Sequence, residues 1–224
     1  VFDLGTLKWS RLTDPAPDVS GGMGTGEYPL WNGLIQPRSR HTYEFIEYLP
    51  SIDRFCSFGF ASPYPDGGPG GDRMHCFNFD TKKWERRMPT PGWGLGALSA
   101  YDPITGHGWV KGTDSHSYLA EFIPEQGALG AWATRSASVN DFMYEYSLTM
   151  EIDPLRRKLV AAGGGTVYTW DISAGGNLQH QSVSTSGGSA IVGANNPGLA
   201  YDPVSKEIVG WAGGGGPFGS RAPF

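Results

Sequence analysis

A turn signature recurs along this chain at nearly constant spacing, and that period limits what the polypeptide can fold into. Ala100-Tyr101-Asp102-Pro103, Glu151-Ile152-Asp153-Pro154 and Ala200-Tyr201-Asp202-Pro203 share it. Glu47-Tyr48-Leu49-Pro50 fits with Leu in place of Asp, and the prolines stand 53, 51 and 49 residues apart. Pro presets φ for a turn, and Asp accepts hydrogen bonds from the backbone that follows. After each proline a short turn leads into a hydrophobic strand that ends at Gly: 54–59, 107–112, 158–163 and 207–213. A third strand follows at 75–80, 117–122 and 166–171, alternating as a half-buried strand does. A fourth follows at 84–87 and 132–135, each opening on Trp, and at 178–181 without one.

Four short strands per period of about 50 residues make one propeller blade. The expected fold is therefore all-β, a β-propeller of four-stranded antiparallel blades. Strand, Asp-Pro turn, Gly-ended strand and then Phe79-Asp80 with Lys83-Trp84 resembles the kelch repeat, over about residues 38 to 213. His41-Thr42-Tyr43 is also similar to bacterial kelch-type proteins related in fold to galactose oxidase. The resemblance implies that the Gly-ended strands lie near the axis and that the Trp residues pack between blades. The chain departs from the repeat at Leu49, at the missing Trp of the third full blade, and in the single Gly after Phe58 and Lys111. Copper oxidases of this fold set Tyr and His around the axis with a Cys bonded to one Tyr. Cys56 lies mid-strand instead, so no metal or other cofactor is expected.

Three full blades are visible, at 41–88, 96–136 and 146–184, within a single domain of residues 1–224. Residues 1–12 read as the outer half of a blade and 197–213 as the inner half. These halves are complementary. Either they join and close a four-bladed ring, or the chain is a fragment of a larger ring completed by another chain or segment. Residues 214–224 do not read as a next strand, and open sheet edges invite pairing.

Composition narrows the class further. With 34 Gly and 17 Pro, charged residues at 17% and aromatics at 13%, the chain is neither disordered nor helical in character. A net charge of −5 without a run of Lys or Arg excludes a nucleic-acid partner. No apolar stretch is long enough to span a membrane. Val1 opens the chain without a charged-then-apolar leader, as expected of a mature product whose signal has been removed.

The segments 13–40, 60–73, 88–96, 137–145 and 185–196 read as long loops, whereas the turns 103–106 and 154–157 are short. Function is expected on the long-loop face. Nine residues before each turn proline stand His41, Gly94, Glu145 and Ala194, preceded by Arg40, Trp93, Tyr144 and Gly193. Equivalent positions surround the axis of a ring. Arg40, His41, Trp93, Tyr144 and Glu145 would suit a polar ligand with a stacking face, such as a sugar; alternatively, Arg40 and Glu145 pair across the channel and tie blades together. Trp31 and Trp93 fall in loops, whereas Trp9, Trp84, Trp109, Trp132, Trp170 and Trp211 fall in strands and read as packing. Asp66 and Asp72 stand among glycines, in a loop that either holds a cation or merely connects. No carboxylate pair or Gly-x-Ser-x-Gly elbow marks a catalytic residue.

If Gly59 pairs near Arg73, Cys56 lands opposite Cys76. The two are then either a disulfide or two buried thiols. A disulfide would favour an extracellular or periplasmic setting. Together these readings point to a non-catalytic, secreted binding or scaffold propeller that recognises a glycan or protein. Two alternatives stand beside it: an enzyme using an axial site (oxidase, lyase or hydrolase), and a structural module of a surface or virion assembly.

Overall fold

Short runs of β-branched and aromatic residues, broken by Gly and Pro, favour strands joined by tight turns, and the chain folds accordingly. The structure, a computed structural model, describes residues 1–14, 27–29, 35–37, 44–58, 73–89, 97–112, 118–136 and 148–212. Strands β1 (Phe2–Asp3) and β2 (Lys8–Trp9) form a hairpin. A sheet follows from β3 (Glu27–Pro29), β4 (Ile35–Pro37), β5 (Ile46–Leu49), β6 (Arg54–Ser57), β7 (Arg73–Asn78) and β8 (Lys83–Pro89), in the order β3-β4-β8-β7-β6-β5. The next sheet runs β9 (Leu98–Asp102), β10 (His107–Lys111), β11 (Leu119–Ile123) and β12 (Ala131–Thr134). The third runs β13 (Leu148–Asp153), β14 (Lys158–Gly163), β15 (Thr166–Asp171) and β16 (Gln181–Ser182). After a single helical turn, α1 (Ser189–Val192), come β17 (Gly198–Asp202) and β18 (Glu207–Trp211), a two-stranded sheet.

All named strand pairs are antiparallel between chain neighbours, except that β4 joins β8. The chain is thus all-β and made of small antiparallel sheets, two of them with four strands. The first sheet differs from expectation. Part of the segment read as a loop forms the β3–β4 hairpin, which adds to β8 through Ile35↔Trp84 and covers an edge that would otherwise stand open. Three-residue strands that each end in Pro carry too little periodicity to announce themselves. The fourth strand of the third sheet also starts later than expected. Leu178 bridges in parallel to Ser136 of the preceding sheet, and β16 begins at Gln181. Among the described residues the sheets do not close into a ring; β1–β2 and β17–β18 remain separate two-stranded sheets.

The turn after each first strand repeats in detail. The third residue beyond the proline has positive φ each time: Asp53 (50°), Gly106 (80°), Arg157 (53°) and Lys206 (61°). Asp102 Oδ1 accepts from the Ile104 N–H at 3.0 Å, Asp153 Oδ1 from the Arg156 N–H at 2.9 Å, and Asp202 Oδ1 from the Val204 N–H at 2.9 Å. These bonds replace solvation that the tight turn would otherwise remove.

First strands stand side by side: β5 beside β9, β9 beside β13, and β13 beside β17. A parallel bridge, Glu44↔Leu98, joins the first two. Because side chains alternate across a strand, the second sheet faces two neighbours. Val110, Ala120 and Phe122 join Phe45, Leu49, Phe58 and the two cysteines in one buried cluster. Leu98, Trp109 and Leu119 join Leu148, Ile152, Leu159 and Trp170 in the other. Gly108 lets the first two sheets approach closely, since a Cβ there would lie 2.7 Å from Phe58 Cζ.

Successive turns are also tied. Ser51 Oγ donates to the Gly106 carbonyl at 2.9 Å. The Arg157 guanidinium grips both oxygens of fully buried Asp102, at 2.8 and 2.7 Å. Arg156 Nη1 donates to the Lys206 carbonyl at 3.1 Å. Desolvation pushes the Asp102 carboxyl up, but Arg157 and the Ile104 and Thr105 donors outweigh it and hold its pKa below the usual range.

Candidate functional site

The first strands line an open cavity of about 470 Å³ at their turn-proline end. Each repeat contributes the residue three places before its turn proline: Glu47, Ala100, Glu151 and Ala200. Tyr101 and Tyr201, with the prolines 103, 154 and 203, complete its rim and walls. Equivalence in the repeat therefore becomes convergence in space. The alternation is Glu, Ala, Glu, Ala, so two carboxyls line one space that is otherwise bounded by alanines, tyrosines, prolines and the aliphatic Ile104, Met150 and Ile152.

Both carboxyls are half-buried. Desolvation, with smaller contributions from Glu151 and Glu44, raises Glu47 to about 8 against the opposing bond from Ser99. Ser99 Oγ bonds the Glu44 carbonyl and also lies 3.0 Å from Glu47 Oε1. A hydroxyl has one proton to give. Ser99 Oγ therefore donates to either the Glu44 carbonyl or Glu47 Oε1, and its bond to Glu47 works against the rise of that carboxyl's pKa. Desolvation also raises Glu151, against N–H bonds from Ile152 (2.8 Å to Oε1) and Tyr201. Glu44, on the same side, is raised by desolvation as well. The cavity thus gathers two carboxyls whose protonated, donating form is favoured by desolvation, beside two tyrosines.

The positions expected from the repeat to gather at the opposite end of the first strands, Arg40, His41, Trp93, Tyr144 and Glu145, lie outside the described residues. So do Trp31, Asp66 and Asp72. Of the tryptophans read as packing, Trp109 and Trp170 are buried, Trp84 and Trp132 half-buried, and Trp9 and Trp211 exposed. Reading nine residues back from each proline passes over the carboxyls three back. The signal is present, since Glu47 and Glu151 belong to the turn signature itself, but there they read as part of a motif that shapes turns.

Cys56 and Cys76 form a disulfide, with S–S 2.11 Å. They stand directly opposite in the β6–β7 register, which continues as Phe55↔Phe77 and Ser57↔His75. Among the described residues no group of three His, Cys, Asp or Glu side chains is placed to hold a metal ion, and no helix is long and apolar enough to cross a membrane. No family model matches the chain, and no curated protein matches it at a significant level.

Proposed function

We propose that this chain is a kelch-like β-propeller unit that works outside the cell as a non-catalytic binding module. Its ligand is a glycan or a glycan-bearing protein surface that places a hydroxylated group at the axis. The observation that carries this reading is the convergence of four consecutive first strands on one cavity of about 470 Å³, a volume suited to a small polar ligand. Glu47 as a donor, Glu151 as an acceptor and the faces of Tyr101 and Tyr201 match the mixed donor, acceptor and apolar character of a sugar ring. The disulfide supports a secreted setting.

Glycan-array binding followed by calorimetry tests it. Glu47→Leu removes the donor and should weaken binding at least tenfold, whereas Glu47→Gln, which keeps a donor, should retain most of it. Failure of every glycan and of cell-surface extracts to bind would overturn the reading.

One observation favours a second reading. A carboxyl held protonated near another carboxyl is the pairing used in glycoside hydrolysis. Under that reading Glu47→Gln binds but does not turn over chromogenic glycosides that the natural protein cleaves. Absence of turnover by the natural protein leaves the binding module.

A further inference from the structure

Acids that the sheets draw away from water are commonly matched with bases. Glu85 pairs with Arg54 at 3.2 Å and with Arg87 at 3.1 Å. Glu121 meets His107 and Arg135, Asp102 meets Arg157 at 2.7 Å, and Asp153 meets Arg156 at 2.7 Å. Glu47 and Glu151 break this pattern. Glu47 bonds the Ser99 hydroxyl. Glu151 bonds the backbone N–H groups of Ile152, at 2.8 Å, and of Tyr201. Among the described residues neither meets a Lys, Arg or His, and no such side chain lines the cavity that they share. A carboxyl removed from water without an opposite charge is costly to ionise. Glu151 adds to that cost at Glu47.

The two carboxyls are not alike. A backbone N–H can only donate, so Ile152 and Tyr201 set the oxygens of Glu151 as acceptors and oppose the rise that burial gives its pKa. These donors belong to β13 itself and to β17, so the carboxyl is held between neighbouring first strands. The Ser99 hydroxyl can donate or accept and imposes no such choice on Glu47. In the alternate repeats the equivalent residues are Ala100 and Ala200, whose small side chains leave the space that further carboxyls would fill. Tyr101, Tyr201 and the turn prolines supply flat apolar walls. Among the described residues no third metal-ligating side chain joins the two carboxyls. A metal ion that takes six or more oxygens fits such a space less well than an organic cation does.

We infer that the cavity selects an amino sugar whose amine is unacetylated, with the ammonium group placed against Glu151. This rests on the glycan-binding reading above and narrows it. The ammonium supplies the counter-charge that the cavity lacks and donates to Glu151, while a ring hydroxyl bonds Glu47. A charge-assisted hydrogen bond is roughly twice as strong as a neutral one. An acetylated amino sugar brings a neutral amide to the same place, and an ordinary sugar brings a hydroxyl. Both leave Glu151 without a cation. Glu151 is therefore the residue that sets specificity, whereas Glu47 makes a contact that all these sugars can share.

The test uses three disaccharides of one linkage, built from glucosamine, N-acetylglucosamine and glucose. Each is titrated by calorimetry, at a slightly acidic pH that keeps the amine protonated, into the whole 224-residue protein and into its Glu151→Gln, Glu47→Gln and Glu207→Gln variants. Glu207 is exposed on β18 and outside the cavity, so its variant controls for the general pull of a cation towards a chain of net charge −5. The glucosamine disaccharide should bind the natural protein at least tenfold more tightly than the other two. Glu151→Gln, which keeps the size of the side chain, should abolish that preference; Glu47→Gln and Glu207→Gln should keep it. Should Glu151→Gln not fold, the three affinities of the natural protein still decide. Equal or weaker binding of the glucosamine disaccharide, a preference that survives Glu151→Gln or is lost in Glu207→Gln, or binding of none of the three would each overturn the inference. Glycan-array hits confined to acetylated or neutral sugars would sink it and leave the binding module standing, whereas an array without hits sinks the glycan reading itself.

Discussion

Glu47 is the residue on which the chemistry of the cavity turns. Its folded-state pKa, about 8, lies above the ordinary 4.5. The folded state therefore keeps a proton that the unfolded chain releases. Stability from this group is full below pH 4.5 and is lost as pH rises towards 8. Glu47→Gln should thus leave the melting temperature nearly unchanged at about pH 4 and raise it relative to the natural protein at about pH 8.5, as read by calorimetric melts across that range. Asp102 behaves in the opposite sense. Its lowered pKa contributes stability above the ordinary carboxylate value that disappears as acid protonates it. Asp102→Ala strands the Arg157 guanidinium and should cost about 3 kcal/mol in urea unfolding at about pH 7. Both residues stand in the turn signature, so their identity was legible. Their separate roles were not, since one side chain turns into the cavity and the other into the joint between two turns, and spacing along a chain does not reveal that.

At the level of strands, legibility followed hydrogen-bond arithmetic. Counting across the Gly59–Arg73 connection puts Cys56 opposite Cys76, and the register bears this out. The same counting leaves open whether the sulfurs bond, because opposed strand positions serve free thiols equally well. Removing the disulfide with Cys56→Ala and Cys76→Ala, which frees a loop of sequence separation 20, should cost about 3 kcal/mol in denaturant midpoint analysis. Gly108 illustrates the complementary limit. Within a strand pattern it looks like a weak position, yet it is where the Phe58 ring enters the neighbouring sheet. Gly108→Val should destabilise by about 2 kcal/mol through overpacking, measurable as a lower midpoint with an unchanged slope. The β3–β4 hairpin was not legible, since its strands are short and take their partner from β8 rather than from their own pattern.

Across the whole molecule, the repeat predicts more than its parts. Four turn signatures become four adjacent first strands, and the same residue of each faces one cavity. Among the described residues two half-sheets remain, β1–β2 and β17–β18. Strand count alone makes those halves complementary. Long-range order here rests on sheets stacking through two apolar clusters and on ties between successive turns. An experimental density map of the whole chain tests that arrangement most directly. It should place β5, β9, β13 and β17 side by side, with Glu47, Ala100, Glu151 and Ala200 facing a shared central space. Finding β9 and β13 hydrogen-bonded into one continuous sandwich sheet, with Glu47 and Glu151 on different surfaces, would contradict it.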